Sequence, residues 1–154
     1  MKVVDFLKQK AVPFETVPHR ETFDAQHMAE SLHVSGHRVA KTVLLRANGD
    51  FKFVVAVLPA TGSVDVEAAT RMLGGSQLKI ASEAEVAEHC PECEVGALPP
   101  FGSQYNMETI VDQRIAAQED IVFEGDTHHE SIRMKYADFA RIEEPLVGSF
   151  AAAD

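Results

Sequence analysis

Two apolar, β-branched runs, Val39-Ala40-Lys41-Thr42-Val43-Leu44-Leu45 and Phe51-Lys52-Phe53-Val54-Val55-Ala56-Val57-Leu58, flank the segment Ala47-Asn48-Gly49-Asp50. Asn-Gly tolerates the positive φ of a tight turn, so the two runs are predicted to pair as an antiparallel hairpin. A hairpin this apolar needs something to cover its faces. The chain can supply it: 154 residues, 45% apolar and 25% charged, are enough for one domain, residues 1–154, with its own core, and lie far from the compositions that stay disordered.

The rest of the chain reads as short helices and strands. Helical spacing predicts helices over Val3–Gln9, Thr22–Leu32 and Ser63–Leu73, the last stopped by Gly74-Gly75. Ser82-Glu83-Ala84-Glu85 is a capping-box pattern and predicts a further helix to about His89. Phe14–Val17, Leu78–Ala81, Thr109–Asp112, Ile121–Glu124 and Ser131–Met134 read as strands, Tyr136–Ile142 as a closing helical turn or two, and Ala151–Asp154 as a frayed tail. Helices interleave with hairpin-connected strands without strict β-α-β alternation. Mixed α+β is therefore predicted over a doubly wound parallel sheet.

Charge narrows the function. Lys and Arg number 14 against 24 Asp and Glu, a net −10, which argues against sequence-blind coating of nucleic acid. The acidity is uneven: Glu83 to Glu94 holds five Glu and no Lys or Arg, whereas residues 37–52 hold Arg38, Lys41, Arg46 and Lys52 against Asp50 alone. A small basic site is compatible with that distribution. No run approaches the roughly 18 apolar residues of a membrane span, and Met1-Lys2-Val3-Val4-Asp5 meets an acid before any signal-type stretch. A cytoplasmic protein with no membrane partner is expected.

Four segments are candidates for chemistry. Lys41 sits inside an apolar strand, where a lysine is expensive to bury; it reads either as a residue on a solvated face or as an anion-binding lysine helped by His37, Arg38 and Arg46. Val95-Gly96-Ala97-Leu98-Pro99-Pro100-Phe101-Gly102 has neither helix nor strand period. Its prolines stiffen the backbone, so it reads either as a rigid connector or as a loop that aims the N–H groups of Ala97, Leu98 and Phe101 at a carbonyl or oxyanion. Asp126-Thr127-His128-His129-Glu130 carries adjacent histidines that would face opposite ways on an extended segment, which disfavours a shared metal ion. Cys90-Pro91-Glu92-Cys93 is a single Cys-x-x-Cys among acids and reads as incidental. No Gly-x-Ser-x-Gly and no phosphate-binding glycine loop is present, so an enzyme built on this chain works by positioning and backbone polarisation.

Val39-Ala40-Lys41-Thr42-Val43, the Gly96–Gly102 loop, and Thr127-His128 followed by Ile132-Arg133-Met134 together resemble the YbaK family. These are freestanding relatives of the editing domain inserted in bacterial prolyl-tRNA synthetases. The resemblance runs from about Val4 to Ile142. It implies an α+β domain with a central, partly barrel-like sheet flanked by short helices, and an aminoacyl-tRNA deacylase that hydrolyses mischarged tRNA in trans. Carried over by position, Lys41 looks like the lysine that holds the 3′-terminal adenosine and its phosphate. Gly96, Ala97, Leu98 and Pro100 look like the loop that binds the ester carbonyl, and His128 like the late histidine at the edge of the site. Arg38, Thr42, Phe101, Gly102 and Thr127 are the neighbouring residues expected to touch substrate. The resemblance implies no metal and no cofactor, the tRNA acceptor end as substrate, and a synthetase as a further partner. Gly125-Asp126 stands where many relatives have Ala-Gly, which would set a carboxylate beside a phosphate-bearing substrate.

From the residues, the selectivity pocket is expected to be lined by Val43, Leu45 and Val55. The competing reading is a non-catalytic module that docks on a synthetase or sequesters charged tRNA, suited by the acidic surface. A thiol-dependent activity of Cys90 and Cys93 is the third.

Overall fold

The computed structural model describes residues 2–18, 38–47, 52–75, 77–91, 93–94, 97–127 and 129–153. The expected helix Thr22–Leu32, the turn residues Asn48-Gly49 and the site candidates Gly96 and His128 lie outside the described residues. Helix α1 (Val3–Gln9) and strand β1 (Glu15–Pro18) precede the hairpin, whose strands β2 (Ala40–Ala47) and β3 (Lys52–Pro59) pair antiparallel from Ala40 opposite Pro59 to Ala47 opposite Lys52. The chain continues through β4 (Gly62–Val64), α2 (Val66–Met72), β5 (Leu78–Ile80) and α3 (Glu83–His89) to a 3-10 turn at Gly102–Tyr105. Then follow β6 (Glu108–Asp112), α4 (Gln113–Ala116), β7 (Asp120–Glu124), β8 (Glu130–Lys135), α5 (Tyr136–Glu143), β9 (Leu146–Gly148) and β10 (Ala151–Ala153).

Five strands form a mixed sheet in the order β5-β2-β3-β6-β9, in which β3 and β6, and β6 and β9, run parallel. A second sheet, β1-β8-β7, is antiparallel throughout. One parallel bridge, Val39 to Val122, with the Val122 N–H donating to the Arg38 carbonyl at 3.0 Å, ties the start of β2 to β7 and bends the two sheets together. This is the mixed α+β fold expected from the sequence.

β3 is apolar on both faces because both are covered. Phe53, Val55 and Val57 join one core with α1, β7, β8 and α5, while Val54, Ala56 and Leu58 join another with α2 and Phe150. That explains a near-continuous apolar run where a half-solvated strand would alternate. Phe101 stands in the first core, 5.2 Å from the rings of Phe6 and Phe139 and 5.5 Å from Phe123.

Two expectations need correction. The segment Ser63–Leu73 is helical only from Val66: Gly62–Val64 is a strand, and the Asp65 carboxylate, accepting from the Ala68 N–H at 3.1 Å, caps the shorter helix. Gly74 and Gly75 do end it, at φ +75° and +89°. Nor is Ala151–Ala153 frayed. It pairs with β4, anchored by the buried Asp112 carboxylate, which accepts from the N–H groups of Phe150 at 3.1 Å and Ala151 at 2.9 Å. Among the described residues no helix is long and apolar enough to cross a membrane.

A second buried carboxylate fixes the 3-10 turn. Glu143 accepts from the Ser103 N–H at 2.9 Å, the Ser103 hydroxyl at 2.6 Å and the Thr109 hydroxyl at 2.6 Å, and Thr109 Oγ1 in turn accepts from the Gly102 N–H at 3.0 Å. A methyl on Gly102 would collide with Thr109 Oγ1 and lie 2.7 Å from the Met107 carbonyl oxygen, so glycine is required by the close approach. Burial raises the Glu143 carboxyl above its ordinary 4.5, against the opposing pull of the Ser103 and Thr109 hydrogen bonds. The folded state thus holds this proton more tightly than the unfolded chain. Its contribution is full below about pH 4.5 and is lost as pH rises through the folded value. Glu143→Ala strands three donors and is expected to lower unfolding free energy by about 2–4 kcal/mol in urea titrations at pH 7. Glu143→Gln, which cannot ionise, is expected to flatten the stability profile above pH 4.5 relative to the parent, as read from urea titrations across that range.

Candidate functional site

β2 is covered along its whole length by β3 but only in part on its other edge. There β5 pairs with Leu45–Ala47, the Ala81 N–H donates to the Leu44 carbonyl at 2.9 Å, and among the described residues the backbone pairing with β7 is confined to Arg38 and Val39, just before the strand. Backbone groups of alternate residues point to the same edge of a strand, so the N–H and C=O of Thr42, two residues before Leu44, face the gap between β7 and β5.

Helix α3 and the loop after it roof that gap. The Ser82 hydroxyl accepts from the Glu85 N–H at 3.2 Å and the Glu85 carboxylate accepts from the Ser82 N–H at 3.1 Å, the reciprocal box read from the sequence. The Ser82 backbone bond, with the Ser82 hydroxyl and Arg46, holds the exposed Glu85 carboxyl below its ordinary value. Arg46 also pins α3 to β2 through the same carboxylate at 3.4 Å. Between roof and strand lies a cavity of about 200 Å³, reached by Thr42, Val43, Leu44, Ile80, Ala81, Val86, Ala87 and Leu98, with Glu83 and Glu94 among its polar groups. It is smaller than the roughly 300–1,000 Å³ of drug-sized ligand sites and suits a small group on a larger substrate.

Cys90 and Cys93 close one end of this cavity, and here the sequence reading is corrected. A turn closed by the Cys93 N–H to the Cys90 carbonyl at 3.1 Å brings their Cα atoms to 5.4 Å, and the sulfurs are joined in a disulfide. The Cys90 sulfur is 2.8 Å from the Tyr105 hydroxyl, and Cys93 Sγ lies 3.6 Å from the Asp126 carboxylate. Cys90, Cys93 and Asp126 make the one group among the described residues with metal-ligand spacing. In the disulfide, however, the sulfurs are not thiolates and offer no ordinary ligand set.

The sequence of residues 19–142 matches the profile of the aminoacyl-tRNA editing domain. The chain belongs to that family. As an editing domain it is an aminoacyl-tRNA hydrolase acting on the ester between amino acid and tRNA. It is similar to the multifunctional Ser/Thr-tRNA deacylase ProXp-y of Escherichia coli (strain K12), 26% identical over 152 residues that cover 97% of this chain and 90% of the relative. In fold it is similar to the hypothetical protein APE2540, with TM-score 0.88 and 18% identity over 97% of this chain and 99% of that one. It is also similar to a protein proposed as a trans-editing enzyme for prolyl tRNA synthetase, with TM-score 0.85 and 17% identity over 98% and 95%.

Within this editing domain the expected residues separate. Thr42 and Leu98 line the same cavity. Two donors are left over in this loop: the Ala97 N–H donates to the Glu94 carbonyl at 3.0 Å, Pro99 and Pro100 have no N–H, and no acceptor among the described residues takes the N–H of Leu98 or Phe101, of which Leu98 alone lines the cavity. Ala97 therefore does not offer its amide to a substrate. The side chain of Phe101 is 0% exposed inside the aromatic core and Gly102 is buried with its N–H bound to Thr109, so neither fits the expected substrate contact. Leu45 and Val55 are likewise core residues, and of the expected pocket lining only Val43 reaches the cavity.

Lys41 stands one residue from Thr42 on the opposite side of β2, half-exposed, with no carboxylate partner among the described residues; Arg38 is exposed at the β7 end of the gap. Thr127 follows Asp126, whose carbonyl accepts from the Glu94 N–H at 2.8 Å, so the loops after α3 and β7 are joined; Thr127 Oγ1 itself accepts from the His129 N–H at 3.3 Å. Asp126 does not project toward a substrate. It is 2% exposed at φ +73°, and its carboxylate accepts from the Val3 N–H at 2.9 Å, satisfying the start of α1. The α3 side of the cavity escaped the sequence reading, although the capping box that locates that helix was legible.

Phe101→Ala is expected to cost about 3–5 kcal/mol of stability in chemical unfolding, as for a buried core phenylalanine. A cost below 1 kcal/mol with impaired tRNA binding would restore the contact expected from the sequence.

Proposed function

We propose that the whole chain acts as one freestanding editing domain that hydrolyses mischarged tRNA in trans, using the roofed gap beside β2 as its aminoacyl pocket. The observation that carries this reading is that Leu98, whose N–H has no acceptor among the described residues, lines the same small cavity as Thr42. An aminoacyl ester is already activated, so an oriented water and one or more preorganised donors suffice without a covalent intermediate. Water adds its oxygen to the acyl carbon, the Leu98 N–H takes the charge developing on the carbonyl oxygen, and the C–O bond to the ribose breaks. The proton lost by the water ends on the ribose oxygen. Lys41, with no carboxylate partner among the described residues, holds the phosphate of the terminal nucleotide, and Arg38 reinforces it. His128 flanks the ribose.

The Escherichia coli relative is a Ser/Thr-tRNA deacylase, and the trans-editing neighbour is tied to prolyl tRNA synthetase. Both support a small aminoacyl group and a tRNA for proline or a related tRNA as substrate, with a synthetase as a docking partner. Purified protein is expected to release amino acid from tRNA charged with Ser, Thr, Ala or Cys without added metal. Release from none of them by folded protein would sink the reading. Lys41→Ala is expected to lower kcat/KM by about 10- to 100-fold, the loss of one charged hydrogen bond to phosphate, and to flatten the salt dependence of binding. His128→Ala is expected to reduce turnover less.

A further inference from the structure

Ester hydrolysis as described makes no use of Cys90-Pro91-Glu92-Cys93. A single Cys-x-x-Cys serves either as a dithiol–disulfide couple or as a pair of metal ligands, and its surroundings decide between them. Cys90, Cys93 and Asp126 each bring one donor atom to within 4.8 Å of the others. Cys90 and Asp126 are buried and Cys93 is half-buried. Asp126 Oδ1 lies 3.6 Å from Cys93 Sγ. Ligands of a tetrahedral zinc ion, at roughly 2.3 Å for sulfur and 2.0 Å for oxygen, stand about 3.5 Å apart. The atoms behind these donors are placed as well. The Val3 N–H donates to Asp126 Oδ2 at 2.9 Å while Oδ1 faces Cys93, and the Tyr105 hydroxyl, 2.8 Å from Cys90 Sγ, can donate to a thiolate there. Contacts of this kind orient the ligands of metal sites. Glu83 to Glu94 holds five Glu and no Lys or Arg. Negative surroundings disfavour a free thiolate but favour a cation, and a bound cation deprotonates its thiols outright.

We propose that, once the disulfide is reduced, the protein holds one zinc ion on Cys90 Sγ, Cys93 Sγ and Asp126 Oδ1, with water as the fourth ligand. The ion has no step in ester hydrolysis, so the site is independent of the deacylase reading. Reduction opens it: two electrons and two protons convert the S–S bond into two thiols, and zinc then displaces both protons as two Zn–S bonds form. Thiolate ligands select a borderline-soft ion over magnesium or calcium, which take oxygen ligands. Cys90 ends α3 and Asp126 follows β7, so the ion ties these two elements together, whereas the disulfide joins only residues three apart. Under reducing conditions zinc thus replaces and extends the anchor at the end of the cavity that both cysteines line.

The test uses the full chain and zinc alone. One sample keeps its disulfide. The other is treated with a trialkylphosphine, which attacks one sulfur, displaces the other as a thiol and, on taking oxygen from water, leaves as phosphine oxide with both cysteines reduced. After incubation with zinc and desalting, metal analysis is expected to find one zinc per reduced chain and none per oxidised chain, and zinc is expected to raise the Tm of the reduced protein alone. Cobalt(II) in place of zinc is expected to show a thiolate charge-transfer band and the intense visible bands of tetrahedral coordination. Asp126→Asn keeps an acceptor for the Val3 N–H but ligates poorly, and is expected to weaken zinc binding about tenfold or more, since loss of even an outer contact costs that much. No zinc on the reduced chain, or as much on the oxidised one, overturns the proposal. Full affinity in Asp126→Asn, or cobalt bound without the charge-transfer band, overturns the three-ligand site. Deacylation is not the readout, so either result leaves the editing reading to its own test.

Discussion

The site depends on the unequal cover of β2. Its β3 edge is paired residue for residue, whereas its other edge meets β7 at Val39 and β5 only from Leu45 onward. An open strand edge is usually a liability, because unpaired N–H and C=O groups invite other strands. Here β5 stops after three residues at the Ser82 cap, and the chain turns into α3 instead of extending the sheet. The helix and the loop beyond it lie over the exposed edge, so it is hidden from other strands yet still reachable by a small group. A longer β5 would close the gap and remove the pocket.

The proposed use of the Leu98 N–H calls for a stiff roof, and the anchors of the loop lie behind it. At one end the Cys90–Cys93 disulfide and the Glu94 and Asp126 backbone bond fix the exit from α3. At the other, Phe101 is driven into the aromatic core and Gly102 is held by Thr109 and, through it, by Glu143. Pro99 and Pro100 leave little freedom between these anchors. Asp126 extends the same frame to α1. A buried phenylalanine and a buried carboxylate thus position an amide they do not touch.

Most of this architecture could be read from residue order wherever a local rule acted alone. The hairpin strands, the capping box, α1 and strands β6 to β8 follow from alternation, helical spacing and cap chemistry. What escaped depends on long-range partners. Ala151–Ala153 has no β-branched residue to announce a strand and becomes one because Asp112, 39 positions before Ala151, takes its N–H. The loop from Ala97 to Phe101 has no period, so the inward direction of Phe101 and the occupied amide of Ala97 were not legible. Leu45 and Val55 were misjudged for a related reason: alternation along β2 and β3 separates two faces but cannot say that both are core. Thr42 and Leu98, by contrast, were singled out from sequence and prove to share a cavity.

The net charge of −10 acquires its meaning from where the cations remain available. Arg46 belongs to the apparent basic segment but is committed to Glu85. Lys41 and Arg38 are left near the gap, while Glu83 and Glu94 stand at the cavity itself. Phosphate contacts position a nucleic acid, and each adds to the salt dependence of its binding. On the proposed reading, with Lys41 and Arg38 as the cations near the gap among the described residues and carboxylates at the cavity, favourable contact would be confined to the last nucleotide or so. Discrimination must then come from the aminoacyl group in the pocket, because the grip on the polyanion is too small to supply it.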